Sequence, residues 1–421
     1  MRQVDHGLRA GSNRWLARMA RSAVAVVSIA AAVAACGSVA AGPNSPARSH
    51  ATAASATSIQ TDVPPYYVAL IGSKPEHAWG DEYLPADAAV VRATTTGAVL
   101  ASVKPPRPYT FAAVSGAADD RTFVLFGVGP LKKTPGQLGM YDGGTYSQRL
   151  FLLRVNPAAS SPSARAKLTA LPQTDIAPGQ QLEAMALSPD GTSLAAILTR
   201  SVSRFPYFVS RLAVFNLANG TQRTWTRDVC YYGKCVQGPI GDWPPIVAEP
   251  SRIQLSWTSD GRSLLFIEGP TGSQVRLLDV DAPGRDVTAD SHQLPVKGEV
   301  ILWRDAVITP DGKSVFIGYN PLGGTQATLM QFSATTGKAA QVNHVLVGLP
   351  LQPTGIGPDD VLWANFNGSK FIVLGAKPGP KRGCFHHHVY CPHPSGQTAG
   401  VYTGTRYTPL PWPANVVDAA W

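Results

Sequence analysis

The sequence predicts an all-β protein built from repeated four-stranded sheets, and two repeats support this prediction. A hydrophobic run, a Ser-Asp-Gly or Pro-Asp-Gly turn and a second hydrophobic run occur three times, as LSPDGTSLAAIL, LSWTSDGRSLLF and ITPDGKSVFIGY. A second strand-turn-strand segment follows each of them, as LAVFNLANGTQRTW, VRLLDVDAPGRDVTA and LMQFSATTGKAAQV. The first turns lie at positions 190, 260 and 311, which are spacings of 70 and 51 residues. Two hairpins make one four-stranded unit, and radial repetition of such units gives a β-propeller.

The repeated aspartates are predicted to be turn residues. They occur as Asp190-Gly191, Asp260-Gly261 and Asp311-Gly312. Asp tolerates left-handed backbone angles and hydrogen-bonds to nearby backbone, while Gly has no Cβ to clash at positive φ. A carboxylate repeated in this way is also a candidate catalytic group, but the turn interpretation explains both residues of each pair.

Weaker copies extend the repeat in both directions. Upstream, FAAVSGAADDRTFVLFGV and RLFLLRVNPAASS form one unit, and AVVRATTTGAVLASV supplies a lone outer hairpin. Downstream, VLWANFNGSKFIVLGA and TAGVYTGTRYTPL form another unit, after which VVDAAW places Trp421 where the repeat has Trp257. We therefore expect one domain, residues 63–421, with six blades or alternatively seven. A C-terminal strand is expected to complete the N-terminal blade and close the ring.

The repeat phrases resemble those of a known group of propellers. The patterns WxxDGxxLxF and PDG followed by alternating hydrophobic residues are similar to the repeats of TolB-type and WD-repeat-like propellers, which occur in many exported bacterial proteins. The Trp-Asp dipeptide and the Gly-His pair of true WD repeats are not in their expected places. The resemblance implies the fold, but propellers include enzymes, receptors and scaffolds, so it does not determine the function.

The first 35 residues are predicted to be a lipoprotein signal peptide. A segment containing five arginines precedes the apolar run 23–35, which is too short to span a bilayer as a helix. The run ends in Val-Ala-Ala before Cys36, a sequence similar to the bacterial lipobox, whose cysteine is diacylated. The alternative is ordinary cleavage near an Ala-rich site with an incidental cysteine. The preferred interpretation places the mature protein outside the cell, anchored by lipid to the outer face of the bacterial cytoplasmic membrane.

Residues 36–62 and the charge distribution fit this location. After Cys36 the segment consists mostly of Ser, Ala, Thr, Pro and Gly, a composition that predicts a flexible tether. The formal net charge is +9, and removal of residues 1–35 takes away five arginines and one aspartate, which leaves about +5. The remaining basic residues are scattered and form no stripe with interleaved aromatic residues, so nucleic-acid binding is not expected.

The other four cysteines form two local pairs, Cys230 with Cys235 and Cys384 with Cys391. In an exported protein such pairs predict disulfides. The second pair encloses a histidine cluster that suggests a metal site as an alternative, because imidazole and thiolate bind zinc or copper. No spacing there matches a closed zinc site, so a disulfide with exposed histidines is preferred, and a pH-sensitive loop is a third option. The possible metal ligands are His386, His387, His388 and His393.

The segment DVDAPGRDVTAD is similar to the start of a calcium loop, but we interpret it as a turn. Asp279, Asp281 and Asp290 stand at ligand positions, whereas Pro283 replaces the third ligand and the bidentate glutamate is missing. Elsewhere the chain has none of the local hydrolase, zinc-protease or phosphate-binding motifs. The sequence therefore favours a binding protein over an enzyme, and no cofactor is expected.

The predicted connections fall into two sets. Turns between strands one and two and between strands three and four of a blade lie at one end of the ring, and in this sequence they are short. Connections between strands two and three and between blades lie at the other end, and these contain nearly all the long insertions. Aromatic residues on long loops of a rigid scaffold are typical of recognition. The candidate binding residues there are Trp79, Tyr83, Tyr141, Phe205, Tyr207, Tyr231, Tyr232, Trp243, His386 and His388.

The sequence predicts a surface-anchored propeller that binds an envelope protein, a peptide or a glycan through this long-connection end. One alternative is an exported hydrolase or lyase with a site in the central channel, which would need acidic and histidine side chains from several blades. Another is a metal-handling lipoprotein that uses the loop from Cys384 to His393.

Overall fold

The computed structural model of the chain describes residues between 63 and 421. The residues within that span that it does not describe are 73–84, 134–143, 173–175, 178, 202–207, 232–233, 239–254, 269–273, 297–305, 320–327, 346–359, 365–368, 378–380, 384–389, 393–395, 404–405 and 414.

The described part of the chain is almost entirely β-structure, as predicted. Its two helices have four residues each, α1 (Pro162–Arg165) and α2 (Val287–Asp290). Neither they nor any other described segment forms a helix long and apolar enough to cross a membrane. The strands in chain order are β1 (Tyr66–Ile71), β2 (Ala88–Ala93), β3 (Val99–Val103), β4 (Thr110–Gly116), β5 (Thr122–Lys133), β6 (Gly144–Val155), β7 (Ala166–Ala170), β8 (Gln180–Leu187), β9 (Ser193–Ser201), β10 (Phe208–Asn216), β11 (Gln222–Tyr231), β12 (Lys234–Gly238), β13 (Ser256–Trp257), β14 (Ser263–Glu268), β15 (Gln274–Asp279), β16 (Ser291–Gln293), β17 (Ala306–Ile308), β18 (Ser314–Tyr319), β19 (Thr328–Ser333), β20 (Ala339–Val345), β21 (Asp360–Ala364), β22 (Lys370–Lys377), β23 (Lys381–Gly383), β24 (Tyr390–Pro392), β25 (Gly396–Thr403), β26 (Arg406–Pro409) and β27 (Val416–Ala420).

These strands form the six blades of a β-propeller. Blade 1 has the strand order β27-β1-β2-β3, and blade 2 has β4-β5-β6-β7. Blade 3 contains β8 to β11 and adds β12 as a fifth strand. Blades 4 and 5 consist of β13 to β16 and β17 to β20, and blade 6 has the order β21-β22-β25-β26, with β23 and β24 forming a separate hairpin. The predicted propeller is confirmed, and the blade number is six.

Closure of the ring by the C-terminal strand is also confirmed. β27 pairs antiparallel with β1, so that Val68 faces Ala420 and Leu70 faces Asp418. The Asp418 carboxylate accepts a hydrogen bond of 2.7 Å from the backbone N–H of Val114 on the inner strand of blade 2. Strand β27 therefore completes blade 1 and connects it to blade 2.

The aromatic residues at the closure form a stack. The rings of Tyr67, Trp412 and Trp421 contact one another, with centroid distances of 5.6 Å (Tyr67–Trp412), 5.1 Å (Tyr67–Trp421) and 6.0 Å (Trp412–Trp421). Trp421 is only 6 % exposed. The Tyr67 hydroxyl donates a hydrogen bond of 3.2 Å to the backbone carbonyl of Pro411. The stack thus joins blade 1 to the chain that arrives from blade 6.

Each pair of neighbouring blades shares one apolar layer. Alternate residues of a strand point to opposite faces of its sheet. Each blade therefore packs the side chains of one face against the preceding blade and those of the other face against the following blade. Six such layers account for the six contacts of the ring. The layers include Val68 and Leu125 between blades 1 and 2, Phe126 and Leu198 between 2 and 3, Trp225 and Phe266 between 3 and 4, Ile267 and Phe332 between 4 and 5, Phe316 and Phe371 between 5 and 6, and Ile372 and Tyr67 between 6 and 1.

The Asp-Gly turns have the structure that the sequence predicted. Gly191, Gly261 and Gly312 have φ angles of 68°, 66° and 70°, in the left-handed region that favours glycine. Each preceding aspartate accepts hydrogen bonds from a hydroxyl two residues earlier and from the backbone N–H two residues later. For Asp190 these are Ser188 at 2.6 Å and Thr192 at 3.0 Å. The carboxylates are therefore part of the turns.

The same hydrogen bonds determine the ionisation of these carboxylates. Burial opposes ionisation of Asp190, but the hydrogen bonds from Ser188 and Thr192 together outweigh burial and lower its pKa. The pKa of Asp311 is lowered in the same way, against burial, by hydrogen bonds from Thr309 and Lys313 and by the charge of Lys313. Both groups stay ionised and hold their turns near neutral pH.

Two segments differ from the predicted hairpins. The segment around Cys230 and Cys235 was expected to be a long connection, but it forms most of the β11–β12 hairpin. The expected outer strand in VRLLDVDAPGRDVTA is instead the helical turn α2, whose N-terminus is capped by Asp286, and the strand follows at β16. The Asp286 side chain accepts a hydrogen bond from the Thr288 N–H, which favours a helical turn over an extended chain at this point.

Candidate functional site

A polar cleft of about 290 Å³ lies on blade 3. It is on the side that faces blade 2, because Leu198 in its floor belongs to the apolar layer between these two blades. It lies at the end of the blade where β9 finishes and β10 begins, since Arg200 on β9 is paired with Val209 on β10. This is the long-connection end of the ring. The cleft is lined by Gln180, Leu198, Arg200, Val209, Ser210, Arg211, Thr224, Thr226 and Gln237.

Strand alternation brings the two arginines together. Arg200 lies two residues after Leu198 on β9, and Arg211 lies two residues after Val209 on β10, so all four side chains share one face of the sheet. In the ladder Arg200 is paired with Val209 and Arg211 with Leu198, which makes the arginines diagonal neighbours. Such positions are about 7–8 Å apart, within reach of long side chains.

The inner strand orients Arg211. The Gln180 side-chain oxygen accepts a hydrogen bond of 3.0 Å from Nη2 of Arg211 and another of 3.2 Å from the Ala177 N–H. The Gln180 carbonyl accepts a hydrogen bond from the side chain of Gln148 on blade 2. Half-buried Arg211 is therefore held by Gln180, whose own position is fixed by hydrogen bonds to Ala177 and Gln148.

The outer wall of the cleft comes from the fifth strand. Gln237 on β12 donates a hydrogen bond of 3.1 Å to the Ser210 carbonyl on β10. Next to it, Thr226 on β11 donates through its N–H to the Arg285 carbonyl of blade 4, at 2.8 Å. The wall thus depends on the position of the β11–β12 hairpin.

The described lining of the cleft is basic and polar. The described lining has the guanidinium groups of Arg200 and Arg211, the amides of Gln180 and Gln237 and the hydroxyls of Thr224 and Thr226. Arg200 is exposed, and none of the ion pairs found in the described residues involves it. Guanidinium groups pair with carboxylates and phosphates through two parallel hydrogen bonds. The arrangement is suited to binding an oxygen-rich anion.

A partly buried carboxyl group, that of Glu183, lies on the inner strand of the same blade. Glu183 is the bulged residue of β8, between Leu182 and Ala184 in the pairing with β9. Burial raises its pKa from 4.5 to about 7, although a hydrogen bond from Thr199 acts in the opposite direction. The Thr199 hydroxyl in turn lies 2.8 Å from that of Ser210. Glu183 therefore changes protonation state near neutral pH.

Most residues of the predicted binding end lie outside the described residues. The structure gives the backbone of Tyr231 on β11 and of Cys391 on β24. It does not test the predicted roles of either residue. The predicted residues outside the described part are Cys36, Trp79, Tyr83, Tyr141, Phe205, Tyr207, Tyr232, Trp243, Cys384, His386, His387, His388 and His393.

The calcium-like segment is explained by local hydrogen bonds, in agreement with its interpretation as a turn. The Asp290 carboxylate accepts from the Trp225 indole at 2.8 Å and from the Gly284 N–H at 3.1 Å. Asp281 forms an exposed ion pair with Arg262 at 3.3 Å. Among the described residues no group of three or more His, Cys, Asp or Glu side chains is placed to hold a metal ion.

The backbone places Cys230 and Cys235 directly opposite each other across the β11–β12 ladder. Directly opposed residues of antiparallel strands have Cα atoms about 4.5–5.5 Å apart, within the range of about 4.4–6.8 Å that a disulfide bridges. The register is therefore compatible with the predicted disulfide.

We expect this disulfide in the oxidised protein. Trypsin cleaves after Lys234, between the two cysteines, so mass spectrometry should find the flanking peptides joined before reduction and separate after it. Replacing both cysteines by serine is expected to destabilise the hairpin by about 2 kcal/mol, the value for closing a short loop. Separate peptides carrying alkylated thiols in the unreduced sample would contradict the prediction.

Sequence reasoning missed the cleft, although one signal was present. Alternation along TRSVSRFPYFVSRLAV places arginines and apolar residues on one face on either side of the connection 202–207. Gln180 and Gln237 also line the cleft, but they belong to the first and fifth strands of the blade. No sequence motif near either residue indicates that they lie close together.

Comparison with solved structures finds several partial matches. TolB from Acinetobacter baumannii matches with a TM-score of 0.46 and 13% identity, over 85% of this chain and 65% of that one. A protein from Agrobacterium tumefaciens described as TolB matches with a TM-score of 0.43 and 13% identity, over 84% and 91%. Hydrazine synthase of Kuenenia stuttgartiensis matches with a TM-score of 0.39 and 14% identity, over 72% and 67%. This chain thus spans about two thirds of the Acinetobacter protein. No family model and no curated protein sequence matches it. These similarities do not transfer an activity or a partner.

Proposed function

We propose that this chain is an exported propeller, lipid-anchored at Cys36, that binds an envelope protein, a peptide or a glycan through its long-connection end. The observation that carries the proposal is the cleft on blade 3, because it places an exposed arginine, a half-buried arginine and several amide and hydroxyl groups at that end. The six apolar layers between blades make the ring a rigid support for such a surface.

At the opposite end of the ring, the polar groups of the short turns form hydrogen bonds within the protein. There the side chains of Asp190, Asp260 and Asp311 are used by their own turns. The turns also contact each other between blades, since the Ala118 N–H donates to the Pro189 carbonyl and the Ser259 N–H to the Pro310 carbonyl. Groups that are already hydrogen-bonded gain little from a ligand. Recognition is therefore assigned to the long-connection end.

The location follows from the N-terminal sequence. An arginine-containing segment, a short apolar run and a cysteine followed by an uncharged tether together support export and lipid attachment. The tether spans about 25–30 Å in its average conformation, which would hold the ring away from the membrane surface.

An enzyme with a central-channel site is the second candidate, and Glu183 supports it. A carboxyl group with a pKa of about 7 can accept or donate a proton at neutral pH. A catalytic site needs further groups directed at the same substrate atom. The described inner strands β4, β8, β13, β17, β21 and β27 contain no histidine. Binding is therefore the better supported function.

The proposal is tested by site-specific crosslinking of the full chain in a bacterial host. A diazirine amino acid placed at Thr224, in the cleft, should form adducts with an envelope component when the cells are irradiated. The matched control is Thr95, an exposed threonine in the short turn between β2 and β3. A third chain with Cys36→Ala should lose the lipid mass and leave the membrane fraction. Equal adducts from both positions, or membrane attachment without Cys36, would contradict the proposal.

A further inference from the structure

We infer that the hairpin formed by β12 and the part of β11 after Thr226 is a flap, which covers the cleft on blade 3 and moves aside when a ligand binds. This inference deepens the proposed function and rests on it, because it concerns access to the same cleft.

The flap begins where β11 separates from its blade. The pairing of β10 with β11 ends at Arg211 opposite Thr226. From Arg227, opposite Gly238, β11 is paired with β12. The part of β10 before Arg211, which starts at Phe208, is paired with β9. The sheet therefore splits at this point, and the hairpin is joined to the blade at the base of the split.

The base of the flap is fixed to blade 4. The Thr226 N–H donates a hydrogen bond of 2.8 Å to the Arg285 carbonyl, and the Thr226 hydroxyl donates one of 3.2 Å to the same carbonyl. Thr226 also forms an isolated parallel bridge with Asp286. Because Thr226 is held by β10 on one side and by blade 4 on the other, bending is expected just beyond it. A hinge needs only a few residues at the end of a strand to change their backbone angles.

A side-chain hydrogen bond holds the flap against β10. Ser210 would stand opposite Arg227 if the pairing continued, and its carbonyl accepts a hydrogen bond of 3.1 Å from the side chain of Gln237 on β12. This bond can break and form again without a change in the pairing within the hairpin. Cys230 and Cys235 stand opposite each other there, and the disulfide expected between them would keep the two strands together. The hairpin can therefore move as one unit.

The flap is closed in this structure. Leu198 and Val209 in the floor of the cleft are 0 % and 8 % exposed. The wall beside this floor includes Gln237, and β12 lies close to β10. The remaining cavity of about 290 Å³ is at the lower limit of about 300 Å³ for small-molecule pockets. A larger ligand that contacts the floor therefore requires the wall to move outward.

Hydrogen exchange of the full mature chain, measured by mass spectrometry with reduction at the quench, tests the movement. Gln237→Ala removes the bond to Ser210, so amides of residues 227–238 should exchange about two- to tenfold faster, as expected for loss of one neutral hydrogen bond. The matched control is Gln331→Ala, which removes a hydrogen bond of 3.0 Å to Ser314 within blade 5. It should leave exchange of residues 227–238 unchanged. Unchanged exchange there in Gln237→Ala, or equal acceleration in β8 and β9, would overturn the flap.

Crosslinking tests whether the flap controls access to the cleft. A wild-type and a Gln237→Ala chain, each with the diazirine at Thr224 and with tags of different mass, are produced in the same cells and compete for the same envelope component. The Gln237→Ala chain should form about two- to tenfold more adducts, because a larger fraction of it is open. An equal or smaller yield would overturn the control of access. If neither chain forms adducts above those of the Thr95 control, the proposed function fails, while hydrogen exchange still decides whether the hairpin moves.

Discussion

Replacing Trp421 by alanine is expected to lower the free energy of unfolding by about 3–5 kcal/mol, the usual cost of removing a buried Trp or Phe side chain. The indole is only 6 % exposed and stacks on Tyr67 and Trp412, at centroid distances of 5.1 and 6.0 Å. Its loss leaves a cavity where blade 1 is closed by its last strand. Guanidinium denaturation followed by far-UV circular dichroism measures the change.

Val99→Ala is the control for this variant. The side chain of Val99 is 57 % exposed, so its truncation should change stability by no more than about 0.5 kcal/mol. If Trp421→Ala unfolds at the same denaturant concentration as Val99→Ala, the aromatic stack does not support the closure of the ring.

Replacing Glu183 by glutamine is expected to remove part of the dependence of stability on pH. Burial raises the folded-state pKa of Glu183 from 4.5 to about 7, so folding favours the protonated form. Its contribution to stability is therefore complete below pH 4.5 and is lost as the pH rises through about 7. At pH 8 the wild-type chain must hold a largely buried carboxylate, while the glutamine variant is neutral. The variant should be more stable there by at most about 3 kcal/mol, from the size of the pKa change.

The measurement is the difference in unfolding free energy between wild type and Glu183→Gln at pH 4.5, 6 and 8. The difference should be small at pH 4.5 and should grow with pH. Asp281→Asn is the control, because it removes an exposed carboxylate from a surface ion pair that is worth less than about 1 kcal/mol. A glutamine variant with the wild-type pH profile would show that Glu183 does not ionise within this range.

The fold was accessible from sequence because its repeated unit has a local chemical signature. A glycine at positive φ after an aspartate is required by the backbone of these turns, and the alternation of the strands is required by packing between blades. One of the weaker copies, FAAVSGAADDRTFVLFGV, follows the same rule. There Asp119 accepts a hydrogen bond of 2.7 Å from the Thr122 N–H, and Asp120 has the left-handed conformation, with φ of 55°, that glycine has in the other turns. Ring closure was predictable for the same reason, because VVDAAW has the pattern of an inner strand without a partner.

The rest of the structure depends on contacts that sequence does not encode locally. The segment Tyr231 to Lys234 has the composition of a loop, yet its flanking residues form a hairpin that adds a wall to the cleft. The position of Arg211 depends on Gln180, which lies 31 residues away in sequence. The raised pKa of Glu183 depends on its burial in the folded chain, which is not visible as a sequence motif. The predicted aromatic binding residues remain a prediction, since apart from the Tyr231 backbone they lie outside the described residues.

The pairing of β27 with β1 also has a consequence for the order in which the chain folds. Blades 2 to 6 each form from one continuous stretch of the chain, whereas Val68 pairs with Ala420, which lies 352 residues later in the sequence. Contacts at such separation carry the greatest loop-closure entropy and form late. We therefore expect blade 1 to be the last blade to assemble, with the edge of β1 exposed until then. An exposed strand edge can pair with another chain, so the interval before closure is when this protein is most susceptible to aggregation.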